Sequence, residues 1–267
     1  MRLFWELTRR SFQRWSTYRA AMLGGLVPNV AFGYMRAYIL LAVVAQAGPI
    51  GGFDEAGVVT YSFYSQALIV PIAIFGGGGP DMGLAERIKT GDVAIDLYRP
   101  VDFQLYWLSQ DLGRAAFGFL SRGVASFAAG FLAFSLVVPS SLGGIAASAL
   151  VLVLAVVVSF TWRFIISLTT FWLLDDRGMQ TLAGVTAMFF SGFLIPTTFF
   201  PGWLQGVAAA LPLRAMVQLP VEVFLGLHDA RGVAGVVAVQ VTWIVVLGLA
   251  GRALANLALR KVVVQGG

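Results

Sequence analysis

Long apolar runs alternate with short polar segments along most of the chain. Six runs are close to or above the roughly 20 residues that a helix needs to cross a bilayer. The fourth run follows Ser140 and Ser141, residue types that favour a helix N-cap. The pattern predicts an all-α polytopic membrane protein whose six transmembrane helices form one domain over residues 1–267. The runs cover about 20–45, 57–76, 113–137, 142–174, 179–196 and 233–257.

Residues 2–19 are amphipathic and not uniformly apolar. On a helical wheel, the Arg, Glu, Gln, Ser and Thr side chains share one continuous arc, and Leu, Phe and Trp fill most of the rest. Such a helix suits the headgroup plane of a membrane. The same pattern also fits a helix that packs on the protein itself. The expected element is an N-terminal interfacial helix.

The segment between the last two runs, residues 197–232, is too apolar for a solvated loop. Three prolines divide it into pieces too short to cross a bilayer, with short helices expected near 201–211 and 213–227. Re-entrant helices at bilayer depth must be buried in protein or line a cavity. A small extracellular cap is the alternative, and both suit a lid over an exit. The candidates for an outer gate are Phe199, Phe200 and Trp203.

Composition supports the membrane class and excludes several kinds of chemistry. The 267 residues are 58% hydrophobic and 12% charged, with a mean hydropathy of +0.83, whereas a soluble domain carries about 25% charged residues. With no cysteine, the chain has no disulfide and no thiolate site. With one histidine, it has no histidine metal cluster. The basic balance of a membrane protein mainly sets its orientation, so no nucleic-acid partner is expected.

Lysine and arginine are distributed very unevenly among the loops. With the N-terminus in the cytosol, the inside segments hold 13 of them and the outside loops hold only Arg214 and Arg231. Cytoplasmic loops are enriched in these residues. The distribution therefore predicts that both termini are cytoplasmic.

One inside segment, residues 81–114, is a charged island between apolar runs. It contains ten charged side chains, out of 18 basic and 13 acidic ones in the chain. A compact charged segment between two spans suggests contact with something in the cytosol, and residues 81–112 are its expected extent. The alternative is a solvated loop that only fixes topology.

The chain lacks recognisable catalytic motifs. It has no phosphate-binding loop of the G-x-x-x-x-G-K-[ST] type, because no lysine follows the glycines at 76–79. No acidic residue lies in any of the six runs, which argues against a proton relay or an intramembrane protease. His228 and Asp229 are interpreted as a surface pair. We therefore expect no enzyme activity in this chain.

Three arginines lie inside the predicted spans, where an unpaired charge is costly and indicates function. Their partners cannot be acids from within the spans, which leaves polar side chains, backbone carbonyls, a partner subunit, lipid phosphate or an anionic substrate. The alternative is that each arginine snorkels to the interface. Arg36 is the favoured pathway residue because Pro28 opens the backbone of its span. The candidate pathway residues are Arg36, Asn29, Gln66, Arg122 and Arg163.

Two stretches of the chain carry short motifs. The first is Glu86-Arg87-Ile88-x-x-Gly91 followed by Leu97-x-x-Pro100. The second runs from Ser191 through Pro196 and Phe200-Pro-Gly-Trp203 to Leu211-Pro212. Both resemble the permease subunits of bacterial ATP-binding-cassette type-2 exporters, and the resemblance in layout covers nearly the whole chain.

The resemblance implies that the first cytosolic loop carries a coupling helix that docks in a cleft of a separate ATPase. That partner would bind ATP and magnesium, and this chain would bind no cofactor. A second copy or a homologous permease would complete the pathway, in a bacterial inner membrane whose lipid surrounds it. The stretch in contact with the ATPase would be Ala85–Arg99, with Ala85, Glu86, Arg87, Ile88, Lys89, Gly91, Asp92 and Arg99 as site residues.

The expected function is half of an export pathway. Phe-rich spans with a few arginines suit a hydrophobic or amphipathic compound, such as a drug, a natural product or a lipid-linked molecule, and therefore multidrug efflux. The in-span arginines favour an anionic group on it, although ions, peptides and polysaccharides stay open. The alternative is a membrane scaffold or receptor subunit that does not transport and has no stoichiometric ATPase.

Overall fold

A computed structural model describes residues 2–17, 24–74, 83–173 and 176–259. The protein is 80% helical and the described part contains no strand, which confirms the all-α prediction. Residues 18–19 of the first predicted helix, the glycines at 76–79 and the end of the fourth run at 174 lie outside the described residues. Three helices have the length and apolar character to cross a membrane, namely Leu26–Ala47, Leu142–Phe171 and Ala230–Ala258.

The helices follow the apolar runs in order. A π-helical turn, Phe119–Gly123, joins α6 to α7, and 3-10 turns occupy Thr169–Phe171, Thr197–Phe199 and Pro212–Met216. The helices are α1 (Arg2–Ser16), α2 (Leu26–Ala47), α3 (Glu55–Ile72), α4 (Leu84–Thr90), α5 (Val93–Leu97), α6 (Phe103–Gly118), α7 (Val124–Gly130), α8 (Leu142–Leu168), α9 (Arg177–Phe190), α10 (Gly202–Ala209), α11 (Gln218–Phe224) and α12 (Ala230–Leu259).

Helix α3 is the centre of the packing. Every residue from Gly57 to Ile72 is buried, against α2, α6, α7, α8 and α11. The helix begins at Asp54, whose carboxylate accepts a hydrogen bond from Gly57 N at 2.7 Å. Because protein surrounds it, α3 can carry Ser, Thr, Tyr and Gln side chains that bond to neighbours, and its apolar character is lower than that of the three long helices.

Several helix boundaries differ from the predicted ones. The third run forms a helix that begins at Phe103, ten residues before the expected start, and ends at Gly130. The predicted N-cap at Ser141 is confirmed, since its hydroxyl accepts a hydrogen bond from Gly144 N at 3.0 Å. Helix α9 ends at Phe190, and not at Pro196. The turn that follows contains Gly192 at a φ of 86°, which favours glycine.

Helix α1 packs on α6. The Ser11 hydroxyl donates to the Gln110 carbonyl at 2.6 Å, and the rings of Phe12 and Phe117 meet edge to face at 5.5 Å. Packing on the protein, the alternative considered for this amphipathic segment, is thus observed. Leu3 and Trp5 nevertheless stay 50% and 64% exposed, so an apolar surface of α1 is left for membrane or partner.

The segment between α9 and α12 folds back into the protein. Helix α10 is mostly exposed, whereas the backbone from Leu213 to Val223 is almost wholly buried. The second helix expected here, 213–227, is divided into a 3-10 turn and α11. It packs against α3 and α8, so this irregular stretch is covered by protein.

Candidate functional site

The charged island folds into two short helices joined by a tight turn. Helix α4 ends at Gly91, whose φ of 81° puts it in the left-handed region, as expected of a sharp turn at this glycine. Leu84, Ala85 and Val93 are buried, and Leu84 and Val93 belong to a cluster with residues of α6, the end of α8 and α12. The α4–α5 hairpin is therefore attached to the helical bundle through its apolar side.

Charged side chains hold the hairpin together from within. Arg87 donates from Nε to Asp96 Oδ2 at 2.6 Å and from Nη2 to Asp92 O at 2.9 Å. Asp96 is buried and also pairs with Arg99 at 3.2 Å. Arg87, predicted to contact a partner, thus joins α4 to α5 through Asp96, and Arg99, also predicted to contact a partner, pairs with the same carboxylate from just beyond α5. Sequence reasoning did not single out Asp96.

Lys89 ties the hairpin to the turn between α8 and α9. Its ammonium pairs with the buried carboxylate of Asp176, which also accepts from Gln180 and from the Thr170 hydroxyl. Burial by itself would raise the pKa of Asp176, but the hydrogen bonds from Lys89, Gln180 and Thr170 outweigh it, so the pKa lies below its usual range. Asp176 is therefore a charged anchor for α4.

The outward side of the hairpin is a mixed surface that we call the hairpin face. It combines the exposed acids Glu86 and Asp92 with two large exposed side chains, Ile95 at 58% and Tyr98 at 79%. The sequence analysis missed Ile95 and Tyr98. Ile95 lies two residues after buried Val93, and Tyr98 lies three residues after Ile95, which places both on the side of a helix opposite Val93. This spacing was the signal in the sequence that could have identified them.

An open cavity of about 300 Å³ lies beside this hairpin, between α1, α4 and α6. Arg14 of α1 and Glu86 of α4 line it together with Tyr106, Trp107 and Gln110. The Trp107 indole N–H is buried and has no acceptor. Helix α1 and the hairpin thus form two sides of one recess.

The three in-span arginines lie in three different settings. Arg36 is buried, and its guanidinium donates to Phe193 O, to the Ser65 hydroxyl and to Tyr61 O. It also faces the rings of Tyr61 and Phe193 at 5.6 and 5.3 Å. Bonds to backbone carbonyls agree with one of the expected partner types. Arg36 is held in the interior and does not snorkel.

Arg163 corrects the expectation that no acid could be its partner. Its Nη2 donates to Asp111 Oδ2 at 2.6 Å, and Asp111 also accepts from Arg114 Nε at 2.8 Å. Arg114 in turn donates to the last carbonyls of α3, at Val70 and Pro71. Asp111 was counted with the charged island, but it lies inside α6 and is 1% exposed. It was misplaced because the third apolar run was taken to begin at 113, whereas the helix already begins at Phe103.

Arg122 and Asn29, both predicted for the pathway, are in direct contact. Arg122 Nη2 donates to Asn29 Oδ1 at 2.6 Å. Arg122 lies in the π-helical turn and is half-buried, and Asn29 lies in the first turns of α2. Gln66 is also buried, but it packs beside Gly33. The candidate pathway residues therefore form separate clusters.

The candidate outer gate does not form one group. Phe200 is buried and stacks on Phe189 at 5.0 Å, whereas Phe199 meets Phe53 at 6.3 Å. Trp203 is 73% exposed. Phe199 and Phe200 therefore pack against different neighbours, and Trp203 points outward.

A buried polar network joins α3 to the segment beyond α9. Gln218 accepts from the Tyr61 hydroxyl at 2.7 Å and from Thr197 N at 3.0 Å, and donates to Glu222 at 2.8 Å. Glu222 also meets His228 Nε2 at 2.9 Å. The pairing of His228 with Asp229 expected from sequence is wrong, since the histidine bonds to Glu222.

Comparison with known protein families adds one finding. A family model described as an ABC-2 family transporter protein matches residues 32–266. That range covers all but the first helix and the start of α2. No curated protein matches the chain significantly.

Proposed function

The chain belongs to the ABC-2 transporter family, and from that premise we propose that it forms half of the membrane pathway of an ATP-driven exporter. It is a permease subunit, the membrane component and not the ATPase of such a system. In the proposal, ATP and magnesium bind a separate ATPase subunit. A second copy or a homologous permease supplies the other half of the pathway.

The hairpin face is the proposed contact with that ATPase. The proposal rests on which side chains of the hairpin are bonded within the protein and which are exposed. Arg87–Asp96 braces the hairpin internally and Lys89–Asp176 ties it to the α8–α9 turn, whereas Ile95 and Tyr98 are exposed. Exposed aromatic and aliphatic side chains ringed by charges are typical of residues that dominate a binding interface.

The bracing suits the transmission of force. Leu84 is buried against the end of α8, and Lys89 reaches the turn that leads into α9. A displacement of the hairpin by a moving ATPase would therefore be passed to α8 and α9 as a rigid-body shift. The recess between α1 and α4 extends the same surface, so α1 is included in the proposed dock.

The proposed topology has six spans in a single domain, with residues 2–19 at the inner surface and 81–112 in the cytosol. Both termini would be cytoplasmic in a bacterial inner membrane. The buried backbone from Leu213 to Val223 supports re-entrant helices within 197–232, near the outer end of the pathway. The Arg36 cluster would lie along the pathway, and the substrate would be a hydrophobic or amphipathic compound.

Co-purification tests the proposal. The complex of this chain with its ATPase, extracted in mild detergent, should lose the ATPase when Glu86 and Asp92 are both changed to lysine, because the exposed acids face the partner. Changing the exposed Glu55 at the start of α3, outside the proposed dock, to lysine is the control for charge reversal elsewhere. An ATPase that stays bound at wild-type stoichiometry in the Glu86, Asp92 variant would rule out this dock. A chain that never brings an ATPase with it would favour the scaffold alternative.

A further inference from the structure

Arg122 and Asn29 bring together more hydrogen-bond donors than the surrounding protein accepts. Their one shared bond joins Arg122 Nη2 to Asn29 Oδ1. Asn29 Nδ2 and Arg122 Nε are buried and have no acceptor in the described part of the chain. Asn29 itself is 5% exposed. A buried donor without an acceptor loses its water and gains nothing in exchange, so this cluster offers two donors to an oxygen-bearing ligand.

The start of α2 adds to the same polarity. The first N–H groups of an α-helix have no acceptor within the helix, and they carry the positive end of the helix dipole. No side chain caps α2 at Gly25. A helix N-terminus is a ready site for phosphate and other oxyanions. Here a guanidinium and an unpartnered amide N–H lie beside it.

Gly25 provides the space for the guanidinium. A Cβ on Gly25 would overlap the Arg122 guanidinium, whereas a Cβ on the neighbouring Gly24 would meet nothing within 4 Å. The guanidinium therefore rests directly on the backbone at the start of α2. This close seating keeps its charge next to the helix terminus and not in the lipid.

Arg122 has fewer hydrogen-bond acceptors in the described part of the chain than the other two in-span arginines. Arg163 has the carboxylate of Asp111, and Arg36 has two carbonyls and a hydroxyl. In the part of the chain that the structure describes, Arg122 has one amide oxygen and no ion pair. Two cationic elements, the guanidinium and the helix terminus, therefore meet without an anion between them.

We propose that Arg122, Asn29 and the start of α2 form a binding site for a phosphate-type oxyanion. The anion accepts from Asn29 Nδ2 and from the guanidinium, and it neutralises the charge at the helix terminus. A lipid phosphate and a soluble phosphate share this chemistry. The inference rests on the proposed function, because Arg122 and Asn29 both belong to the proposed pathway. It adds that the pathway selects compounds that carry an anionic group.

Thermal unfolding of the full chain in detergent tests the site. The probes are dioctanoyl phosphatidic acid, inorganic phosphate, and dioctanoylglycerol, which has the same chains without the phosphate. A ligand that binds the folded state raises Tm in a saturable way. We expect this rise with phosphatidic acid or with phosphate and not with dioctanoylglycerol. A response to phosphatidic acid and not to phosphate identifies a lipid-borne anion, and the reverse identifies a soluble one.

Two glycine variants make the test specific. Gly25→Ala keeps every charge but displaces the Arg122 guanidinium. It should weaken the apparent affinity for the phosphate probe about ten-fold or more, which corresponds to the loss of a single contact. Gly24→Ala is the matched control and should keep wild-type affinity. Arg122→Gln and Asn29→Asp should abolish the response, and they remain informative if Gly25→Ala unfolds the chain.

Three outcomes would overturn the site. They are an equal response to dioctanoylglycerol, no response to either phosphate probe, and wild-type affinity in both Gly25→Ala and Arg122→Gln. Because the readout is binding to the permease chain, a negative result leaves ATPase docking untouched. Conversely, loss of ATPase co-purification does not affect this binding test.

Discussion

Asp111 on α6 bonds to Arg163 on α8, with 2.6 Å between Oδ2 and Nη2. Arg114 completes the group by bonding to Asp111 and to the final carbonyls of α3. Three helices thus meet at one buried carboxylate. Ser159 strengthens the junction, because its hydroxyl donates to Ile72 O at the end of α3. This junction lies just before the stretch of chain that leads from α3 to the α4–α5 hairpin.

Asp111→Asn should strongly destabilise the fold. The substitution leaves two buried guanidinium groups without a carboxylate, and breaking a buried pair in this way costs about 3–5 kcal/mol. Thermal unfolding of the purified permease in detergent measures the effect. Asp102→Asn is the matched control, since Asp102 pairs with the exposed Arg252 and such pairs contribute about 0–1 kcal/mol. Similar losses in both variants would contradict the assigned role of Asp111.

The two sides of the hairpin should separate docking from folding. Changing both Ile95 and Tyr98 to alanine should release the ATPase while Tm stays near the wild-type value, because both side chains are mainly exposed. Asp96→Asn should lower Tm and weaken docking together, since Asp96 holds Arg87 and Arg99 in place. Co-purified ATPase and Tm are measured on the same samples. Retention of the ATPase by the Ile95, Tyr98 variant would remove the hairpin face from the interface.

Gly113→Ala should push α1 away from α6. An added Cβ would collide with the backbone of α1 at Thr8 and Phe12, which cannot move aside as a flexible side chain would. Limited proteolysis within α1 should accelerate several-fold. Gly206→Ala is the control, because the same methyl group would meet nothing within 4 Å there and alanine favours a helix by about 0.5–1 kcal/mol. Equal protection of α1 in both variants would show that the contact at Gly113 is dispensable.

The Lys89–Asp176 anchor should weaken in acid. Because the pKa of Asp176 is lowered in the folded protein, its stabilising effect is complete above the ordinary value of 3.8 and is lost as the pH falls through the lower folded value. Wild type should therefore exceed Asp176→Asn in stability near neutral pH, and the difference should shrink below a pH of about 3.8. Tm measured as a function of pH checks this, with Glu55→Gln as a control. A difference in Tm between wild type and Asp176→Asn that stays constant with pH would show that Asp176 does not act as a titrating anchor.

The helical elements could be predicted from sequence because they depend on local pattern. Leu142–Leu168 is a long apolar run behind the N-cap residue Ser141, and both features are visible in the printed residues. The turn at Gly91 follows from the tolerance of glycine for a left-handed backbone, which is also a local property. Helix ends were less well predicted where charges interrupted a run. Phe103 starts α6 ten residues before position 113, where the apolar run was taken to begin.

The candidate site depended on contacts that sequence spacing does not reveal. Arg163 and Asp111 are 52 residues apart, and Arg122 and Asn29 are 93 apart. Residues 29 and 122 were each proposed for the pathway, but nothing in their positions predicted a direct bond. The outward placement of Tyr98 and the burial of Asp96 likewise follow from how the hairpin rests on α6 and α8.

The sequence by itself determined the all-helical class and the charged island, since apolar length, helix caps and charge along the chain are local properties, and its motifs pointed to the ABC-2 family by resemblance. The tertiary structure decided which charges are braces and which are exposed. Arg87 and Lys89 bond inward, while Ile95 and Tyr98 point outward. The physical reason is that a charge is buried only where a distant helix supplies its partner, and packing alone brings those helices together.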